Sequence, residues 1–119
     1  MDEEQIRQGD IFMVDWTPGR GSEQTGERTA LVVQNDAFNA NRRYPNTIVV
    51  TISSHGRDIP THVQVRKTAE NGLWADLSYV KAEQLMTISK DRLVRKIGSV
   101  TPEQLAAVSG AIKRVLSLV

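Results

Sequence analysis

The sequence predicts a small, mainly β fold closed by one C-terminal helix. Three observations carry that expectation. Short runs of apolar and β-branched residues recur before Thr101, the clearest being Thr47-Ile48-Val49-Val50-Thr51-Ile52, and β-branched side chains suit a pleated surface. Turn residues separate these runs: Thr17-Pro18-Gly19, Tyr44-Pro45-Asn46 and Asn71-Gly72. After Thr101 the apolar spacing becomes helical, with Leu105, Val108, Ile112, Val115 and Leu116. Several short strands followed by one amphipathic helix point to a small twisted barrel with the helix packed on it.

Each element has its own signal. Ile11 to Trp16 carries large apolar residues on both faces, which suits a strand buried on both sides. Ala30 to Gln34 reads as a second strand. Asn35 to Arg43 is polar, with room for a short helical turn. Thr47 to Ile52 is the third strand, and Ser53 to Asp58 a polar loop. His62-Val63-Gln64-Val65 alternates like a half-buried strand. Trp74 to Lys81 and Leu93 to Ile97 are the remaining strand candidates. At the C-terminal helix, Thr101 suits the N-cap, Pro102 the first helical position, and Gln104 completes a capping-box pattern. Lys113 and Arg114 fall where cations suit the helix dipole, while Gly110 weakens the helix slightly. The expected helix has about four turns and one apolar face.

Composition narrows the class. A chain of 119 residues is expected to form one domain, 1–119, with a small core. It has no cysteine, hence no disulfide framework and no thiolate metal site. Its apolar runs are too short to span a bilayer, and Met1-Asp2-Glu3-Glu4 is unlike a signal peptide. A cytoplasmic location without membrane contact is therefore expected. Net charge is +1, so bulk basicity does not mark a nucleic-acid binder. Arg42, Arg43, Arg57, Arg66 and Lys67 are nevertheless concentrated mid-chain, with only Asp58 among them, which allows a local positive groove.

Between the first two strand runs lies Gly21-Ser22-Glu23-Gln24-Thr25-Gly26-Glu27-Arg28. It sets a Glu, a Gln and an Arg on a loop framed by glycines, and the guanidinium fork suits a phosphate. With Gly9-Asp10 and Asp15 before it, Ala30-Leu31-Val32-Val33-Gln34-Asn35-Asp36 after it, and Glu83-Gln84-Leu85-Met86-Thr87-Ile88 later, the chain resembles the MazF/PemK family of toxin endoribonucleases. The resemblance runs from about Gly9 to the terminal helix. It implies an SH3-like small barrel of the MazF/PemK/CcdB type with a terminal helix. It also implies metal-independent, cofactor-free cleavage of single-stranded mRNA at short motifs, leaving 2′,3′-cyclic phosphate and 5′-OH ends. The implied partners are a second copy of the chain and an acidic, MazE-like antitoxin whose complex is salt-sensitive.

Two positions depart from the family pattern. Thr29 stands where the family usually has Pro after the catalytic Arg, which is expected to leave the strand start looser. Ser53 stands where many members carry a catalytic Thr, and either residue supplies a hydroxyl. Strand alternation puts the rival Thr51 on the same face as Ser53 and the rival Ser54 on the other. The resemblance thus implies Arg28, Ser53 and Glu23 as catalytic residues. An arginine that keeps its charge is a poor proton carrier but a good stabiliser of charge building on phosphate. Ser53 would hold a phosphate oxygen or the 2′-OH, and Glu23 would act as general base or orient Arg28. Without the resemblance these three read as a hairpin arginine, a polar strand end and a solvated carboxylate.

His55 and His62 offer a second acid–base route, since histidine is the side chain whose unperturbed titration falls near neutrality. The simpler readings are a solvated loop residue for His55, and structure or RNA contact for His62. Arg20, Gln24, Arg57, His62 and Lys81 are the candidate RNA contacts. Exposed bases stack on aromatic or guanidinium planes; Trp16 could supply one, but core or interface is its simpler role. The two histidines are seven positions apart on irregular segments and no acidic residue completes a set with them, so no metal site is expected. Two alternatives stand beside the nuclease. One is a CcdB-like gyrase poison, which would use apolar residues such as the terminal Leu116-Ser117-Leu118-Val119. The other is a non-catalytic RNA-binding barrel.

Overall fold

The computed structural model describes residues 5–16 and 27–118. Six strands follow in chain order: β1 (Asp10–Asp15), β2 (Glu27–Val32), β3 (Asn46–Ser53), β4 (His62–Arg66), β5 (Leu77–Ser89) and β6 (Leu93–Ser99). Between β2 and β3 lies α1 (Asp36–Ala40), a 3-10 turn (Lys90–Arg92) joins β5 to β6, and α2 (Pro102–Leu116) follows β6. The strands form one antiparallel sheet in the order β4-β5-β3-β2-β1-β6.

Strand alternation sorts the apolar residues onto two faces. One face collects Ile11, Leu31, Val50, Ile52, Val65 and Val80, joined by Leu73 from a loop and Val108 from α2. The other collects Phe12, Val14, Trp16, Ala30, Val32, Val49 and Ile88. The central strands are buried on both sides, as β1 was expected to be, and Trp16 is a core residue at 8 % exposure.

Among the described residues β4 and β6 do not pair, so the sheet is not a closed ring. The loop 67–76, between β4 and β5, spans the seam instead. Ser99 donates its backbone N–H to the Glu70 carbonyl at 3.0 Å. Gly98 lets the backbone of Glu70 and Asn71 approach so closely that a Cβ there would lie 2.4 Å from them. Gly72 sits at φ +67°, where a Cβ would meet the Ile97 carbonyl oxygen at 2.0 Å. The small barrel expected from the sequence is thus a wrapped sheet sealed by a loop.

The helix follows its sequence signals closely. The Thr101 side chain accepts from the Gln104 backbone, and Gln104 reaches back to the Thr101 N–H, at 3.1 and 2.9 Å. The helix is 15 residues long, buries Val108 and Ala111, and ends on Ser117 in the left-handed region. Leu116, expected on the apolar face, is 47 % exposed. α1 is capped by Asn35, whose side chain accepts from the Phe38 N–H at 2.9 Å.

β5 departs most from expectation. Expected over Trp74 to Lys81, it starts at Leu77 and continues to Ser89. Its register against β3 jumps from Thr51↔Lys81 to Val50↔Leu85. Ala82, Glu83 and Gln84 therefore bulge out of the ladder, which bends the strand.

Candidate functional site

The site begins where strand ends meet. β2 and β3 pair as Ala30↔Thr51 and Leu31↔Val50. Continuing that register by two residues sets Arg28 across from Ser53, and the Thr29 hydroxyl donates to the Ile52 carbonyl at 3.3 Å in between. Thr29 is 6 % exposed and pairs with Met13 of β1, so the start of β2 is tied rather than loose. Ser53 in turn pairs with Tyr79 of β5. An open concavity of about 360 Å³ lies at this junction. Its walls include Arg28, Ser53, Ser54, His55 and Trp74, which together offer a fixed cation, hydroxyls, an imidazole and an indole.

The bulge in β5 adds a polar contact beside Ser53. It turns Gln84 back toward β3, where the Thr51 hydroxyl donates to Gln84 Oε1. Thr51 is fully buried and engaged there, and Thr47 on the same face donates to Asn39 Oδ1, so of the hydroxyls on that face of β3, Ser53 is the one that reaches the concavity. Ser53 Oγ accepts the His55 N–H at 3.0 Å, fixing the first turn of the following loop.

That loop, 54–61, is held at three points. Gly56 lies on the Tyr79 ring so closely that a Cβ would be 2.3 Å from it. The Arg57 N–H donates to His62 Nδ1 at 3.0 Å, and His62 Nε2 lies 2.6 Å from Glu83 Oε2. With Nδ1 accepting, the ring proton sits on Nε2 and points at the carboxylate. The His62 side chain is 7 % exposed, and its ring stands edge-on to Tyr79 at 6.3 Å. Burial pushes the Glu83 carboxyl up, but hydrogen bonds from His62, its own backbone and Thr61 outweigh it and hold the group below its ordinary 4.5.

The remaining candidates divide by place. Arg57 is exposed on the clamped loop, and Lys81 is half-buried on β5, in register with both Thr51 and His62. His62 has both ring nitrogens engaged within the chain, as a structural reading of it requires. Glu23, Arg20 and Gln24 lie outside the described residues. Among the described residues, no group of three or more His, Asp or Glu side chains could hold a metal ion.

Two features escaped the sequence. Trp74 was expected to open a strand; it is 65 % exposed at the rim of the concavity. Glu83 and Gln84 were noted only within a family-like run, and nothing in their spacing signalled a bulge.

Comparison with known proteins gives this geometry a family. The family model described as the PemK-like, MazF-like toxin of type II toxin–antitoxin systems matches residues 7–116. The chain is 38% identical over 117 residues to Endoribonuclease MazF9 of Mycobacterium tuberculosis, covering 95% of this chain and 98% of the relative. It is 35% identical over 115 residues to Endoribonuclease MazF of Staphylococcus saprophyticus, covering 95% and 92%. A solved mycobacterial endoribonuclease in complex with its cognate antitoxin superposes with a TM-score of 0.75 at 26% identity, covering 96% and 97%. The chain belongs to the PemK/MazF family of type II toxins.

Proposed function

We propose that this chain is the toxin of a type II toxin–antitoxin pair and acts as a metal-independent endoribonuclease on single-stranded mRNA. One observation carries the reading: in a member of this family, β2 and β3 bring Arg28 and Ser53 to the same concavity. A gyrase poison or a binding module needs no such pairing. The family match over 7–116 supports treating 1–119 as one domain of this type.

In the proposed reaction the ribose 2′-oxygen attacks the adjacent phosphorus and the bond to the 5′-oxygen breaks. The 2′-proton leaves to a base and the 5′-oxygen gains a proton, giving a 2′,3′-cyclic phosphate and a 5′-OH. Arg28 stabilises the charge that builds on the phosphoryl oxygens through paired hydrogen bonds. Ser53 holds a phosphate oxygen or the attacking hydroxyl, and Glu23 is the proposed base. Arg57 and Lys81 are proposed to follow the RNA backbone, with Arg20 and Gln24 as further contacts, while His62, buried and engaged at both ring nitrogens, shapes the loop rather than touching RNA. The active form is proposed to be a cytoplasmic homodimer, inhibited by an acidic antitoxin. The relative solved with its cognate antitoxin supports that partner. Among the described residues no helix is long and apolar enough to cross a membrane.

The test is purified protein incubated in EDTA with a long single-stranded RNA, with the cut ends mapped for sequence and chemistry. Cuts at one short motif with 5′-OH ends are expected. Arg28→Ala should slow the single-turnover rate by about 10²–10³-fold, the usual loss for one transition-state donor; Ser53→Ala should also slow it. Intact RNA after long exposure to folded, antitoxin-free protein would remove the nuclease reading.

A further inference from the structure

An indole that is 65 % exposed is unusual beside a core in which Leu73, its chain neighbour, is only 4 % exposed. It leaves a large apolar surface in water that a short polar residue would not. Yet Trp74 does not sit on loose chain. Asn71, at 1 % exposure, donates to the Arg66 carbonyl at 2.8 Å and accepts the N–H groups of Thr68 and Leu73 at 3.2 and 3.0 Å. Gly72 and the Glu70 carbonyl lock the same loop against β6. The side chain therefore stands on a pre-organised mount, at the rim of the concavity shared by Arg28 and Ser53.

The other walls select the occupant. Beside the indole they set the Arg28 guanidinium, the Ser53 and Ser54 hydroxyls and the His55 imidazole, a lining whose charge and polarity suit an anionic, polar occupant over an apolar protein surface. A nucleotide satisfies both kinds of wall, because its phosphate takes the polar donors and its base offers a flat π-face. We infer that Trp74 is a base-stacking platform that holds an unpaired nucleobase beside the phosphate bound by Arg28 and Ser53. This rests on the nuclease reading above. Trp16, the other indole, is in the core and does not compete for the role.

The platform is tested with Trp74→Ala and Trp74→Phe. The first probe is a short single-stranded oligonucleotide carrying the motif the parent cuts, with one ribose at the cut site and 2′-deoxy residues elsewhere. The second is the same sequence with every 2′-OH methylated, so that it binds but cannot react. Stacking is sequence-tolerant and contributes to binding throughout the reaction, so its loss should fall on KM rather than kcat. Trp74→Ala is expected to raise KM roughly tenfold, with Phe recovering most of the loss. The methylated oligonucleotide should quench the parent's tryptophan emission, and the residual Trp16 emission of Trp74→Phe should not respond. If the parent cuts RNA but Trp74→Ala keeps its KM and no quench is seen, the platform is overturned and the nuclease reading stands. If the parent binds and quenches without cutting, the nuclease reading falls and the platform stands. A Trp74→Ala protein whose KM change follows a dimer-to-monomer shift in sedimentation would make Trp74 a subunit contact and overturn the platform.

Discussion

At Ser53, one hydroxyl terminates a strand and opens a loop at once. Its oxygen accepts the His55 N–H, so it helps shape the segment that borders the concavity while remaining available as a donor. The resemblance to known toxins picked out Arg28 and Ser53, but their adjacency needed the β2–β3 register, which no local pattern encodes. Behind them, Glu83 reaches the loop indirectly. Its carboxylate accepts a hydrogen bond from the His62 Nε2–H and thereby fixes the ring that accepts the Arg57 N–H. Its carboxyl is depressed in the folded chain, so folding is favoured by its ionised form. That contribution is present above the ordinary value of 4.5 and is lost as pH falls through the lower folded value. Because Glu83 is 41% exposed, solvent screening keeps the effect small. Thermal melts of the parent and Glu83→Gln are expected to differ at neutral pH and to converge as pH falls below 4.5. A gap that stays constant down to strong acid would show that the ionised carboxylate contributes nothing.

Among elements, the glycines separate two kinds of backbone demand. Gly72 needs a left-handed φ and has the Ile97 carbonyl where a side chain would go, whereas Gly110 has nothing within 4 Å. Gly72→Ala is expected to lose more than about 2 kcal/mol, from strain plus overlap. Gly110→Ala, in an exposed helix position, should gain about 0.5–1 kcal/mol. Urea unfolding of both variants measures this, and equal shifts would contradict the assigned geometry. Gly110 could be read from the sequence as a weak point in a helix. Asn71-Gly72 could be read as a turn, but its role as the seam of the barrel could not, because Ile97 is distant in the chain. The same distinction runs through the other elements. α2 was legible because capping boxes and apolar spacing are local. Leu116 shares that spacing but remains exposed, since periodicity marks a stripe and not how far it is covered. The far half of β5 was hidden because Ala82-Glu83-Gln84 interrupts alternation where the ladder slips by three residues. Trp74 read as a strand residue because apolar character alone does not tell an exposed indole from a buried one.

For the whole molecule, what matters most is that the first and last of the described strands in chain order are neighbours in the sheet. β1 lies between β2 and β6, with Asp10 opposite Ser99, and the Val100 N–H closes onto the Gly9 carbonyl at 3.0 Å. Val108 of α2 then completes the core face shared by five strands. Net charge and composition constrain none of this long-range closure. A growing chain emerges from the ribosome from its N-terminal end, at ~5–20 residues per second. Arg28 and Ser53 are made early, but β6, which covers the edge of β1, and Val108, which completes the core face beneath Leu31, Val50 and Ile52, follow later. The chain is therefore expected to stay unfolded, and harmless to the message being translated, until β6 and α2 have emerged. A chain ended after Arg92, lacking β6 and α2, should show no cooperative urea transition and no RNA cleavage; a sharp transition would refute this dependence. Late addition of β6 and α2 is thus expected to act as a built-in delay, so that synthesis of the toxin is completed before its own message becomes a target.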